Sequence, residues 1–275
     1  MKKFLNLLVC AILVGSVCPS IAAKTAVLVT HYGSSDDNTR VKTIDLITSD
    51  IRQALPATEV REAYISPVVR RNLAKKGLDC DSPVQALIRL RADGYDSVYV
   101  QSTTIIDGVE MAEVRDACNQ MRLFFNLLKC SESLCYSPDD CLTLVDILAS
   151  HPKAKDEAVV FVGHGNLLPS TATYCQLDYM LMAGCHKGYH VSTIEGYPTA
   201  ETTLVELRAD DKVKRVTLVP LLLVCGNHTI HDIAGEYAEA IRAAGYQTDV
   251  MMRGLAELPV VRALYVSRLK KLMNQ

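Results

Sequence analysis

Three residues able to hold a divalent metal follow apolar runs in the second half of the sequence. They are His164 in Gly163-His164-Gly165, Glu195 in Ser192-Thr193-Ile194-Glu195-Gly196-Tyr197-Pro198, and His228 in Cys225-Gly226-Asn227-His228. Two imidazoles and a carboxylate suit Zn2+, Co2+ or Fe2+ and leave coordination positions open for exchange. The flanking glycines allow close backbone approach and turns that a side chain would obstruct. Glu110 stands two residues after Gly108, as His228 stands two after Gly226. It is either a cleft residue arriving from the other half of the chain or an ordinary acidic residue in a first helical turn, where the helix dipole favours it. His31 is open in the same way, between a cleft residue and a packed strand end. His231, three residues after His228, is a candidate to support it from behind. His151, His186 and His190 are read as surface or packing residues.

The elements that must position these residues alternate in kind. Short β-branched runs cover 26–31, 60–65, 97–102, 158–164, 190–195, 216–224 and 248–252, with helical patterns between them. Val41, Ile44, Ile47, Ile51 and Leu55 share a helical face that ends at Pro56. Ser82 and Pro83 form a cap and first-turn proline, and a helix is expected from Glu110 to Leu128. The stripe Ile230, Ile233, Ala234, Tyr237 and Ile241 closes at Gly245. Strands alternating with helices predict parallel sheets covered on both faces, with ligands bound beyond the carboxyl ends of the strands.

A weak repeat divides this pattern in two. Val27-Leu28-Val29-Thr30-His31 matches Val160-Phe161-Val162-Gly163-His164 at an offset of 133, and Val98 to Gly108 matches Val216 to Gly226 at an offset of 118. The fold expected is α/β: two similar halves, 24–150 and 151–275, each a parallel sheet flanked by helices and facing a central cleft. The stretch from Cys130 to Ser150 reads as a loop-rich insertion between them.

Composition bounds the function. The chain has 275 residues, 49% hydrophobic, 22% charged and 6% aromatic, with no Trp and a net charge of −2. This excludes a disordered or collagenous chain, and the lack of basic excess argues against nucleic acid as partner. Lys2, Lys3, an apolar stretch from Phe4 to Val17 and small residues up to Ala23 have the layout of a secretory signal, residues 1–23, with cleavage after Ala23. The apolar stretch is short for a bilayer span, and no membrane span is expected after cleavage. The reading places the protein in the periplasm. Of ten cysteines, Cys10 and Cys18 would leave with the signal, and eight would enter an oxidising compartment where disulfides persist. Eight cysteines admit 105 full pairings, so the connectivity stays open. Cys225, three residues before His228, is read as packing rather than as an extra ligand.

At these motifs the chain resembles the anaerobic sirohydrochlorin cobaltochelatases, a class II chelatase family related to ferrochelatases. The resemblance runs from Val27-Leu28-Val29-Thr30-His31-Tyr32-Gly33-Ser34-Ser35, through Val100-Gln101-Ser102 and Ile105-Ile106-Asp107-Gly108-Val109-Glu110, to the three blocks holding His164, Glu195 and His228. It departs at Asn166-Leu167-Leu168-Pro169, at Thr104 and at Asn227, where the family has other residues. The resemblance implies chelatase-like halves and a lyase-type insertion of Co2+, or Fe2+, into a tetrapyrrole with release of two protons and no organic cofactor. It carries the metal ligands over to His164, Glu195 and His228, and implies His164 and Glu110 as the groups that handle protons. His31, Tyr32, Arg40 and Arg70 become candidate substrate contacts, with Arg71, Lys75 and Arg253 as further cations for substrate carboxylates. A homo-oligomer is consistent with the family. The competing reading is a periplasmic protein that binds haem or metal without turnover.

Overall fold

A computed structural model describes residues 24–226 and 230–275. The first sheet has the order β2-β1-β3-β4, from β1 (Lys24–His31), β2 (Glu59–Tyr64), β3 (Tyr95–Ser102) and β4 (Leu127–Cys130). The second has the order β6-β5-β7-β8, from β5 (Glu157–Gly165), β6 (Tyr189–Glu195), β7 (Arg215–Pro220) and β8 (Gln247–Val250). All pairings are parallel, and the two orders are the same permutation, so the repeat is a repeat of topology.

Local sequence explains the helices. The apolar stripe expected up to Pro56 is split at Thr43 into α1 (Asp37–Lys42) and α2 (Ile44–Ala54). Ile44, Ile47 and Ile51 are buried, whereas Val41 on the other side of the break is exposed. Then follow α3 (Pro67–Ala74), α4 (Pro83–Ala92) and α5 (Val109–Met121). Ser82 caps α4 in a capping box with Gln85, and Pro83 occupies the first turn. In the second half lie α7 (Ala172–Ala183), α8 (Ala200–Arg208), a π-helical stretch (Ile230–Tyr237) running into α9 (Ala238–Ala243), and α10 (Pro259–Met273).

Two expectations are corrected here. The helix from Glu110 stops at Met121, and Leu127 to Cys130 forms β4 on the edge of the first sheet. The stretch from Cys130 to Ser150 is not a loop-rich insertion: after β4 it forms α6 (Pro138–Ala149), capped by Ser137 and Asp140. Cys141, Leu144, Val145 and Leu148 of α6 are buried with Phe161, Tyr174, Leu177 and Leu181 of the second half. In return Val261, Tyr265 and Leu269 of α10, at the far end of the chain, join the cluster that holds Val27, Val29, Ile47 and Ile51. Arg262 pairs with Asp50 at 2.7 Å, and the Tyr265 hydroxyl donates to the Thr103 carbonyl at 3.0 Å. Each half thus lends a helix to the packing of the other, and one apolar layer runs between the two sheets. Outer clusters, centred on Leu28 with Val100 and on Val160 with Leu218, close the opposite faces.

The register explains the position of His31. Leu28 pairs with Val100 and Val160 with Leu218, so Leu28 is equivalent to Val160, an offset of 132 where the sequence match gave 133. A one-residue slip in a strand moves a side chain to the other face. His31 therefore corresponds to buried Gly163, and it is Tyr32 that corresponds to His164. His31 is 0% exposed, while Tyr32 is 55% exposed. His31 is no cleft residue. Its Nδ1 lies 3.1 Å from Thr103 Oγ1 and its Nε2 lies 3.1 Å from Thr48 Oγ1. Thr103 donates its hydroxyl proton to the Thr30 carbonyl, so it accepts from His31 Nδ1–H, and Nε2 is left to accept from Thr48.

That arrangement holds the imidazole neutral. Burial, with the nearby Arg52 charge adding to it, pushes the His31 pKa down to about 3. In the unfolded chain His31 takes up its proton near pH 6.5, so its contribution to stability is present above pH 6.5 and is lost as pH falls toward 3. Urea unfolding followed between pH 7 and 3 should show this loss. In His31→Gln the acid limb is expected to move by about one pH unit or flatten. An unchanged acid limb would count against the assignment.

Candidate metal and substrate cleft

The carboxyl ends of the strands gather the chemistry. His164 is the penultimate residue of β5 and is exposed, and Glu195 closes the neighbouring strand β6 and is exposed as well. Gly165 and Glu195 are register partners, which puts His164 and Glu195 on adjacent strand ends. His164 Nδ1 lies 3.2 Å from the Gly165 carbonyl oxygen, a partner that can only accept. In the neutral ring the proton then sits on Nδ1, which leaves the Nε2 lone pair free for a ligand.

Glycines make this approach possible. Gly165 has φ +76°, and a Cβ there would stand 1.7 Å from the Glu195 carbonyl oxygen. A Cβ on Gly163 would stand 2.2 Å from the Tyr174 ring. The turn after Glu195 folds back on its own strand. The Pro198 carbonyl accepts from Thr193 N–H at 2.8 Å, from Thr193 Oγ1 at 2.9 Å and from Ser192 Oγ at 3.2 Å.

Glu110 arrives from the other half, in the first turn of α5, half-buried. Burial pushes the Tyr174 phenol up to about 12, opposed by the Gly165 backbone and reinforced by the charge of Glu110. Tyr174 packs against Gly163, the residue before His164. The loop carrying Glu110 is itself braced. Leu134 N–H donates to the Thr104 carbonyl at 2.9 Å and Cys135 N–H to the Ile105 carbonyl at 2.7 Å. Arg115 clamps Asp107 through two hydrogen bonds of 2.7 and 2.6 Å and reaches Glu132 at 2.8 Å.

The cleft rim is apolar. Tyr32 after β1, Val109 after β3, Leu167 and Leu168 after β5 and Tyr197 after β6 are all exposed, Leu167 at 88%. Large apolar side chains left in water around a strand-end cleft mark a surface that is covered in use. Apart from Tyr32, already a candidate substrate contact, no sequence pattern singled these residues out, because each stands alone in a loop and only the sheet ends bring them together.

The cationic candidates divide. Arg40 is committed inside the protein, 2.8 Å from Asp37 and 3.5 Å from Asp45. Arg70, on the helix leaving β2, makes no ion pair among the described residues and has a buried Nε without a hydrogen-bond partner. Arg71, Lys75 and Arg253 are exposed. His228 lies outside the described residues, and His231 is exposed in the π-helical stretch beyond it.

Among the described residues, one group of three metal-competent side chains lies close together, Asp178, His190 and Glu206. His190 begins β6, at the opposite end of the strand from Glu195. Its Nδ1 is 3.0 Å from Glu206, and Asp178 accepts from Val191 N–H at 2.7 Å, so the trio ties α7 and α8 to β6. The packing role expected for His190 is what the structure assigns to it.

Two four-stranded parallel sheets of identical order, the second presenting His164 and Glu195 on adjacent strand ends, define a two-lobed α/β fold. Solved structures share that fold. SirB from Bacillus subtilis with Fe3+ matches with a TM-score of 0.63 at 12% identity, covering 90% of this chain and 95% of that one. Sirohydrochlorin chelatase SirB from Bacillus subtilis subspecies spizizenii in complex with cobalt matches with a TM-score of 0.60 at 12% identity, covering 91% and 96%. The chain belongs to the cobalt chelatase (CbiK) family, whose sequence profile matches residues 25–274. It is 33% identical over 258 residues to a sirohydrochlorin cobaltochelatase of Salmonella typhimurium, covering 91% of this chain and 97% of that protein. It is 32% identical over 243 residues to sirohydrochlorin cobaltochelatase CbiKC of Nitratidesulfovibrio vulgaris, covering 85% of each.

Proposed function

We propose that the protein inserts Co2+ into sirohydrochlorin and does so after export to the periplasm. The observation that carries the reading is the pair of neighbouring strand ends that present His164 and Glu195, in a chain matched by the cobalt chelatase family over residues 25–274. The metal is a substrate: two pyrrole N–H bonds break, two nitrogen–metal bonds replace them, and two protons leave. His164 presents a neutral Nε2 to the ion, with Glu195 beside it and His228 as the third ligand. The Glu110 carboxylate accepts a pyrrole proton on the facing side, a general-base role suited to an anion held near the reacting nitrogens. The apolar rim of Tyr32, Val109, Leu167, Leu168 and Tyr197 covers the faces and edges of the macrocycle.

The peripheral carboxylates of the substrate need cations, and among the candidate cations Arg70 has a donor to spare. Arg70→Ala is expected to raise KM for the tetrapyrrole about 10-fold with kcat nearly unchanged, the effect of one charge-assisted hydrogen bond. Arg40→Ala, which removes an internal ion pair, should leave KM unchanged. Steady-state kinetics on both variants check this, and equal KM effects would remove Arg70 from the substrate site.

Export rests on the basic, apolar and small-residue layout of residues 1–23. No helix among the described residues is long and apolar enough to cross a membrane. The test is an absorbance assay with purified mature protein, Co2+ or Fe2+, and sirohydrochlorin. Multiple turnovers with Co2+ support the reading. Stoichiometric binding of metal or haem without turnover overturns it in favour of a binding protein.

A further inference from the structure

The turn that presents Glu195 is held by a buried hydrogen-bond relay. It starts at Tyr237, the last residue of the π-helical stretch. The Tyr237 hydroxyl donates to Ser192 Oγ at 2.6 Å, and Ser192 Oγ donates to the Pro198 carbonyl at 3.2 Å. The direction is fixed by chemistry: a carbonyl can only accept, so the single hydroxyl proton of Ser192 is spent on Pro198 and its oxygen is left to accept from the phenol. Burial pushes the Tyr237 phenol above its ordinary range, so it stays a neutral donor. Ser192 and Tyr237 are both buried, and water does not compete for either bond.

Both ends of the relay are informative. At one end, Pro198 is the residue on which the Glu195 turn closes, since Thr193 also donates to its carbonyl through N–H and Oγ1. Glu195 itself is exposed, and among the described residues its carboxylate has neither hydrogen bond nor ion pair. Its backbone turn alone places it. At the other end, Tyr237 is anchored with Val160, Leu218, Ile233 and Ile241 in the outer cluster of the second half. The stretch it ends follows His228 in the sequence, and π-helical turns are frequent at functional sites. On its other side the turn is tied to the loop after β5, where Thr171 Oγ1 donates to the Tyr197 carbonyl at 3.3 Å.

We propose that Tyr237 is a positioning residue of the metal site: its hydroxyl, acting through Ser192 and Pro198, sets the placement of the Glu195 carboxylate and so the affinity for the divalent ion. The proposal rests on the reading of Glu195 as a metal ligand. In the sequence Tyr237 counts only as a member of the apolar stripe from Ile230 to Ile241. The ring fills the core in that way, but the hydroxyl does not, and its one donated bond leads to the turn of a candidate ligand.

Titration of the purified protein with Co2+ alone, followed by calorimetry, tests this. Tyr237→Phe keeps the ring and removes the donor, and the Kd for Co2+ is expected to rise about 10–100-fold, the usual effect of removing a group that orients a metal ligand. Ser192→Ala breaks the relay at its next link and should weaken binding at least as much. The double variant should then be no worse than Ser192→Ala, as for two members of one chain of contacts. In turnover, Tyr237→Phe should raise KM for Co2+ and leave KM for the tetrapyrrole unchanged. Ile241→Val controls for stability alone: it trims a fully buried side chain of the same cluster, should lower Tm by about 1–6 °C, and should bind Co2+ as the wild type does. Wild-type affinity in Tyr237→Phe and Ser192→Ala, additive losses in the double variant, or equal weakening in Ile241→Val overturns the proposal. Glu195→Ala separates it from the reading beneath it. Weakened binding in Glu195→Ala with none in Tyr237→Phe leaves the ligand standing and removes the positioning role, whereas unchanged binding in Glu195→Ala removes both.

Discussion

Replacing His164 by alanine is expected to lower kcat/KM for metal insertion by about 10²–10⁴-fold while the protein remains folded. The side chain is exposed at the end of β5, and its single internal hydrogen bond is to the neighbouring Gly165 carbonyl. Its removal therefore leaves no cavity and no buried group unpaired, so Tm should shift by less than about 2 °C. What is lost is the Nε2 lone pair that receives the ion. The carbonyl contact makes the choice of nitrogen specific. His164→Gln keeps a polar side chain but no imidazole, and should be nearly as inactive. Activity within tenfold of the wild type in both variants, measured by the absorbance change of the tetrapyrrole, would remove His164 from the metal path.

Gly165→Ala should be the most damaging single methyl group in the cleft. At φ +76° any side chain is strained, at a cost of about 1–2 kcal/mol. The added Cβ would also lie 1.7 Å from the Glu195 carbonyl oxygen, so β5 and β6 must separate at the point where they present His164 and Glu195. Forced overpacking adds about 1–3 kcal/mol, for a total of about 2–5 kcal/mol. Gly77→Ala is the internal control: its φ is +79°, yet nothing lies within 4 Å of the added Cβ. Chemical denaturation should show only the strain for Gly77→Ala and the larger loss for Gly165→Ala, with activity lost in the second alone. Equal destabilisation in the two variants would mean that the close approach to Glu195 has no energetic weight.

The cleft was partly legible beforehand because strand ends leave a local trace. An apolar run ending in Gly-His-Gly or Ile-Glu-Gly-Tyr-Pro marks both the end of a strand and the freedom of the turn behind it, so His164 and Glu195 could be placed from their neighbours. β4 was missed because Leu127-Leu128-Lys129-Cys130 is only four residues long and begins inside the run read as the end of the helix from Glu110. It is an edge strand whose identity comes from pairing with β3 and not from its own pattern. The apolar rim beyond Tyr32 was invisible for a similar reason, since single exposed residues in separate loops carry no period. Arg40 and Arg70 look alike in the sequence, and only their neighbours distinguish a cation consumed by Asp37 and Asp45 from one with a donor left over.

His31 shows where the boundary falls. The sequence by itself determined the alternation of strands and helices, the duplication, the turns, and the residue types able to meet a metal, because each depends on contacts within a few residues. Register depends on which residue of one strand faces which residue of the next, and a match of similar apolar runs is nearly as good one step out. The sheet resolves that step through side-chain burial across β1, β3 and α2, and it turns His31 inward between Thr48 and Thr103 while Tyr32 takes the exposed position. The exchange of α6 and α10 between halves and the packing of Tyr174 against Gly163 belong to the same class. They join residues far apart in the chain or on different elements, and only close packing of the whole molecule decides which of them touch.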